Sequence, residues 1–324
     1  MPTQVDNGRA FEFAIAIELE KWINARTRVE LIRDAAFQRC EDCYSLVDET
    51  ERKRFVKAAF LPIDTLSRLE PGILNAKSED DVLFIRLCRD SEGQSGDVRD
   101  VVMFRKNNRG EISWEIGISA KNNNDAAKHS RISEDIHFGD KWLGMDTSRK
   151  YIDSLHSVFD WVRARISDGI TTWRELGESK ETAVYVPLLD AFIQEMNRLF
   201  QANQTMAAQN LIKYLIGRKP FYKLIKNDRD NTSVLKVFNF VPGLGKPYNG
   251  VRPDCKPQAI PLPTRCVELA MLEKGQRNTA SLIMDKGWQV DFRIHSASTN
   301  IETSLKFDVT LEGNPPVLFT QHLF

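Results

Sequence analysis

The chain has 324 residues, 42% hydrophobic and 28% charged, with 45 Lys and Arg against 45 Asp and Glu. That length supports two modest domains or one large one, either able to bury a core without disulfide or metal staples. The longest apolar runs, residues 13–17 and 259–262, fall far short of the roughly 18 to 20 residues that a membrane span needs.

The N-terminal segment has no basic stretch ahead of its apolar residues and no small-residue cleavage site, so a cytoplasmic protein is expected. Cys40, Cys43, Cys88, Cys255 and Cys266 are an odd number scattered through a large chain, which points to reduced thiols. Cys40 and Cys43 have half of a zinc spacing that Cys255 and Cys266 do not complete.

In chain order, residues 8–33 carry a helical pattern, with Phe11, Ile15, Leu19 and Trp22 at three- and four-residue steps and Asp6 or Asn7 as N-cap. Residues 49–60 continue the helical texture, while Pro62, the Pro71-Gly72 pair and residues 91–96 are breaks. Two β-rich runs follow, DVVMFR at 100–105 and ISWEIGISA at 112–120, joined by the turn-former cluster KNNRG at 106–110. They predict a β-hairpin. Helical patterns return over 148–166, 187–200 and 206–216. Six prolines between 242 and 263 then break up the chain, and the runs 287–294 and 304–311 alternate like strands. Trp142, Trp161, Trp173 and Trp288 are expected in the core.

The polar face of the hairpin carries the chemistry. Along the second strand, Glu115, Gly117, Ser119 and Lys121 share one face while Trp114, Ile116, Ile118 and Ala120 fill the other. A turn near 107–111 sets Asp100 opposite a position between Glu115 and Ser119, in the neighbourhood of Lys121. Carboxylates beside a lysine suit metal-assisted phosphodiester cleavage: the acids hold Mg²⁺, which acidifies a water, and the lysine orients or deprotonates that water. An Asp opening one strand and an acid-x-Lys triplet ending the next is the PD-(D/E)xK nuclease signature, but Ser119 stands where the triplet has its acid. Asp97, Glu115 and Glu12 compete to replace it. Glu115 lies four residues from Ser119, about 13 Å along a strand at roughly 3.3 Å per residue. The same residues in isolation also suit an exposed hairpin with ordinary surface charges.

Several separate stretches decide between these readings: NGRAFEF at 7–13, GDVRD at 96–100, WEIGISAK at 114–121, KHSRIS at 128–133, FGDKW at 138–142, PTR at 263–265, GWQVDFRIHSAST at 287–299 and SLKFD at 304–308. Together they resemble the HaeIII-type restriction endonucleases, from near one end of the chain to the other. The resemblance implies a bacterial type II enzyme that cuts double-stranded DNA at GGCC with Mg²⁺, leaving blunt ends, in a family that tolerates the S-x-K triplet. It implies an α/β restriction-endonuclease-like core, a central mixed sheet flanked by helices, with the catalytic hairpin at 97–121. Asp100 becomes the leading metal ligand and Lys121 the residue that handles water, with Asp97, Glu115 and Glu12 as candidates for the second acid.

From Thr205 onward there are 16 Lys and Arg against 10 Asp and Glu. This surplus suits a phosphate backbone and suggests a nuclease core at 1–204 with a basic recognition region at 205–324 that is continuous with the core. Guanine-rich sites are read by basic side chains at O6 and N7. Arg265, Arg293 and His295 are therefore candidate base readers, although His295 beside Ile294 also fits a core histidine. Lys128, His129 and Arg131 are candidate phosphate contacts, and Asn122 and Asn124 either form a turn or reach DNA through their amides. A palindromic site favours a homodimer on DNA, and restriction implies a cognate methyltransferase. Two rivals are a DNA-binding protein without cleavage, which Ser119 leaves open, and a related nuclease of repair or RNA processing.

Overall fold

The computed structural model describes residues 2–89, 92, 97–123, 125–229, 231–272 and 277–324. The chain folds as two compact units that interleave along the sequence. One is Met1–Asp125 with Gly217–Ile260 and Val317–Phe324, and the other is Ala126–Ile216 with Pro261–Pro316. The boundary expected at 204/205 falls instead inside the second unit, between the helices Val186–Ala202 and Gln204–Ile216. The basic surplus is also redistributed. Segment 217–260 has 9 Lys and Arg against 3 Asp and Glu, whereas 261–316 has 6 against 7. The C-terminal positive charge thus accompanies the unit that carries residues 97–121.

The first unit opens with helix α1 (Gln4–Asn24), shorter than the pattern over 8–33 suggests. Its N-cap is Thr3, neither Asp6 nor Asn7: the Thr3 hydroxyl accepts from the Asp6 N–H at 3.2 Å while the Asp6 carboxylate accepts from the Thr3 N–H at 2.8 Å. This capping box satisfies two amides left unpaired by the helix start. Beyond the helix, Val29–Leu31 forms strand β1, because its backbone pairs in parallel with β2 (Leu83–Leu87). Helices α2 (Ala35–Leu46), α3 (Glu49–Phe60) and α4 (Ile63–Leu69) follow β1.

Strands β3 (Val101–Lys106) and β4 (Ile112–Asn122) form the expected hairpin. Its turn is held by Asn107, whose side-chain oxygen accepts from the Arg109 and Glu111 N–H groups at 2.9 and 3.0 Å. Gly110 supplies the positive φ of 79° that this turn requires.

In the second unit come β5 (Ala126–Ile132) and helices α5 (Arg149–Ser167), α6 (Val186–Ala202) and α7 (Gln204–Ile216). The chain then returns to the first unit as β6 (Phe221–Asn227) and β7 (Thr232–Phe238). Strands β8 (Cys266–Met271), β9 (Thr279–Met284), β10 (Gln289–His295) and β11 (Leu305–Gly313) belong to the second unit, and β12 (Thr320–Leu323) closes the first.

The first unit's sheet has the order β1-β2-β3-β4-β6-β7-β12 and is mixed, with β1–β2 and β4–β6 parallel and the remaining pairs antiparallel. Its core face buries Trp114, Ile116, Ile118 and Ala120 with Phe11, Ile15 and Leu19 of α1 and Tyr222 and Leu224 of β6. Burying each large apolar side chain contributes about 1.5–3 kcal/mol, which fixes the strand register and so turns Glu115, Gly117, Ser119 and Lys121 to the opposite face.

The second unit's sheet has the order β5-β11-β10-β9-β8 and is antiparallel throughout. Its inner face supplies Phe292 and Phe307 to an aromatic cluster with Phe138, Trp142 and Phe192. Trp142, Trp173 and Trp288 are buried, while Trp161 is only half-buried. All five cysteines are free of disulfides, with Cys40 and Cys43 buried. No described helix is long and apolar enough to cross a membrane.

Candidate active site

Asp100 sits at the bend where the chain enters β3. Its N–H donates to the Ile118 carbonyl at 2.8 Å, and its own carbonyl accepts from the Cys88 N–H at 2.8 Å, so the backbone is fixed on both sides. The carboxylate accepts from the Ala120 N–H at 2.7 Å and the Ser119 hydroxyl at 3.2 Å, both through Oδ2. Ser119 therefore orients Asp100 in place of a second acid. Burial raises the Asp100 pKa, against the pull of Lys121 and of these two hydrogen bonds.

Glu12 reaches the same place from α1. Burial first, and the charge of Asp100 second, push its pKa up to about 8, while Lys121 and Arg9 pull the other way. The Cys40 thiol donates to Glu12 Oε2 at 3.8 Å, and burial pushes that thiol above its ordinary range. A helix acid, a strand-entry acid and a strand-end lysine thus act on one another electrostatically.

Asp97 and Glu115 are organised otherwise. Arg99, with its side chain 2% exposed, binds Asp97 through Nε at 2.8 Å and Nη2 at 2.7 Å, and Glu115 through Nη1 at 2.7 Å. Lys219 adds longer contacts to both carboxylates, 3.4 and 3.5 Å. Arg99 crosses the strand over Gly117, where an added Cβ would lie 2.2 Å from its Cδ. Two of the expected metal ligands are thereby neutralised in an ion-pair clamp beside the site. Asp97 still contributes a small upward push on the pKa of Asp100.

Beyond β4, a lysine cluster escapes sequence reasoning. Lys223 of β6 pairs in register with Ser119 on one side and with Lys236 of β7 on the other. Lys223 is buried, ion-paired to Asp125 and hydrogen-bonded to its carbonyl at 3.0 Å, and Lys236 reaches the same carboxylate at 2.5 Å. Burial lowers the Lys223 pKa, and Lys121 and Lys236 add to that. The signal in the sequence is a lysine inside each of two apolar runs, FYKLIK and VLKVF.

The HaeIII restriction endonuclease family model matches residues 8–315. The type II restriction enzyme HaeIII of Haemophilus aegyptius is 35% identical over 313 residues, covering 97% of this chain and 95% of that protein. The chain belongs to the HaeIII restriction endonuclease family. No solved structure matches it.

Membership in the HaeIII family makes the chain a homologue of a site-specific deoxyribonuclease with DNA as substrate, and its mixed α/β sheet is consistent with the restriction-endonuclease fold. Type II enzymes generally use a divalent metal. Among the described residues no group of three or more His, Cys, Asp and Glu forms a ready-made metal cage. The Glu12–Asp100 pair nevertheless fits a divalent ion, since both acids are held above their ordinary pKa by burial and, for Glu12, by the other acid's charge. A cation relieves both effects.

The remaining candidates are dispersed. Asn122 accepts from the Lys226 ammonium at 3.1 Å. Asn124 lies outside the described residues, as do the side chains of Lys128 and His129. Arg131 is exposed on β5 and donates to the Ser304 hydroxyl at 2.8 Å. Arg265 is exposed just before β8. Arg293 pairs with Asp308 at 2.7 Å, and His295 Nδ1 lies 2.9 Å from the Ser296 carbonyl.

Proposed function

We propose that this chain hydrolyses double-stranded DNA at GGCC with Mg²⁺, between the central G and C, to leave blunt ends. The observation that carries the reading is the convergence of Glu12, Asp100 and Lys121 at the strand-entry end of the β3–β4 hairpin. GGCC and the blunt cut are what the likeness to HaeIII implies. A bound Mg²⁺ supplies a Lewis acid that polarises the phosphate and acidifies a water.

The protein's own groups do the rest. Asp100, whose Oδ2 accepts from Ala120 and Ser119, and Glu12, once deprotonated, would hold the ion. Lys121 orients the attacking water or takes its proton. The new P–O bond forms in line as the bond to the 3′ oxygen breaks, giving a 3′-hydroxyl and a 5′-phosphate. Asp97 and Glu115, held by Arg99, shape the entry to β3 without binding the ion.

Asn122, Asn124, Lys128, His129 and Arg131 are assigned to phosphates, and Arg265, Arg293 and His295 to base edges. The palindromic site is met by a homodimer on DNA, working in the bacterial cytoplasm beside a methyltransferase that protects the host's own sites.

Digestion of a plasmid of known sequence with and without Mg²⁺, followed by end-sequencing, tests the reading. Discrete blunt ends at GGCC, dependent on Mg²⁺, are expected. Binding without any cut refutes it.

A further inference from the structure

The second unit is slightly acidic as a whole, with 17 Lys and Arg against 19 Asp and Glu. Against that background, one row of its sheet is anomalous. Cross-strand register places His295 opposite Lys306 and Lys306 opposite Arg131, so three basic residues stand side by side across β10, β11 and β5. At roughly 4.8 Å between strands the row spans about 10 Å. Like charges directly opposed on one face of a sheet destabilise it. No carboxylate among the described residues lies within ion-pair distance of Lys306 or Arg131; the contact found for Arg131 is the Ser304 hydroxyl.

The alternate positions Phe292, Ile294, Leu305 and Phe307 are buried on the inner face, which leaves this row on the outer one. In the adjacent row, Arg293 is exposed and its guanidinium is held by Asp308 across the strand pair. A carboxylate behind an arginine fixes the direction of the fork while leaving donors for a partner.

We propose that the outer face of β5, β11 and β10, centred on Lys306, is a DNA-contacting surface. Lys306 and Arg131 take consecutive backbone phosphates, and Arg293, aimed by Asp308, reads guanine. This rests on the nuclease reading above and adds to it the face that engages DNA, including Lys306, which lies within the SLKFD stretch but has no role in that reading. An anionic duplex supplies the countercharge that the described residues do not place on Lys306 and Arg131, and a planar fork beside a phosphate-held edge suits the O6 and N7 acceptors of guanine.

The test measures binding of a GGCC duplex and a scrambled duplex by fluorescence anisotropy in EDTA over a range of salt, with cleavage in Mg²⁺ measured in parallel. For the double variant Arg131→Ala with Lys306→Ala, binding to both duplexes weakens about tenfold, and the slope of log K against log salt falls by about two units. Lys306→Arg by itself keeps the wild-type slope. Arg293→Ala lowers kcat/KM at GGCC roughly 5- to 150-fold relative to a site changed at one base. All variants are checked for an unchanged melting temperature.

A double variant that keeps the wild-type affinity and salt slope, while wild-type protein still cleaves GGCC, overturns the surface assignment alone. Wild-type protein that neither cuts nor binds either duplex overturns the nuclease reading and this inference together.

Discussion

Gly117→Ala is the most exacting probe of the site's construction. A Cβ at 117 would stand 2.2 Å from Arg99 Cδ, 2.7 Å from Cγ and 2.9 Å from Cβ. These atoms are the root of the side chain and cannot swing aside as a lysine tip can, so relief requires moving the whole arginine by about 1 Å or more. That movement breaks three short ionic hydrogen bonds to Asp97 and Glu115 around a guanidinium that is almost wholly buried. Disrupting a buried ion pair while leaving its partners in place costs about 3–5 kcal/mol. At roughly 2–4 °C per kcal/mol, the melting temperature falls by roughly 6–20 °C. Cleavage falls as well, because Arg99 immediately precedes Asp100. Thermal unfolding of Gly117→Ala, Arg99→Ala and the double variant decides the matter: the second substitution adds little once the first has opened the clamp. Full additivity, or a Gly117→Ala protein within about 1 kcal/mol of wild type, refutes the reasoning.

Four further outcomes follow from the same geometry. Lys121→Ala abolishes cleavage but retains DNA affinity within a fewfold, measured by nicking and anisotropy assays, since the lysine acts on water and not on DNA bases. Glu12→Gln also loses cleavage, yet melts higher than wild type near pH 8 in the absence of metal. The sign follows because a carboxyl whose folded pKa is raised binds more protons folded than unfolded, so wild type loses stability as pH climbs from about 4.5 toward about 8; equal melting temperatures across that window count against a buried Glu12. For the same reason, metal affinity measured by calorimetry rises with pH up to about 8. Asp125→Asn removes the carboxylate charge paired with the buried Lys223 ammonium and costs about 3–5 kcal/mol in denaturant unfolding.

The hairpin was legible because two local signals agree, an alternation of period two and a turn cluster of the right length. The observed register, with Val101 opposite Ile118, brings Asp100 alongside Ser119 and so near Lys121. Glu12 was readable only as one acid among three, since a helical pattern says which face is apolar but not which strand it covers. The ion pairs of Asp97 and Glu115 were hidden from the sequence: Arg99 binds its near neighbour Asp97 and reaches Glu115 through space that only a glycine at 117 leaves open. Lys223 and Lys236 were missed because the strand pairing that brings them to the site spans about a hundred residues. The expected boundary at 204/205 followed a shift in charge, whereas the units are defined by which strands complete which sheet.

That interleaving bears on how the protein is made. The strand Ile112–Asn122 acquires its second neighbour from Phe221–Asn227, after the whole of Ala126–Ile216 has been laid down within the other unit. Such long-range ladders close slowly, because the ordering cost precedes the reward. A nascent chain therefore already holds Glu12, Asp100 and Lys121 but not the strand that stiffens them. The order of synthesis thus leaves the sheet around these residues incomplete until Phe221–Asn227 has been made.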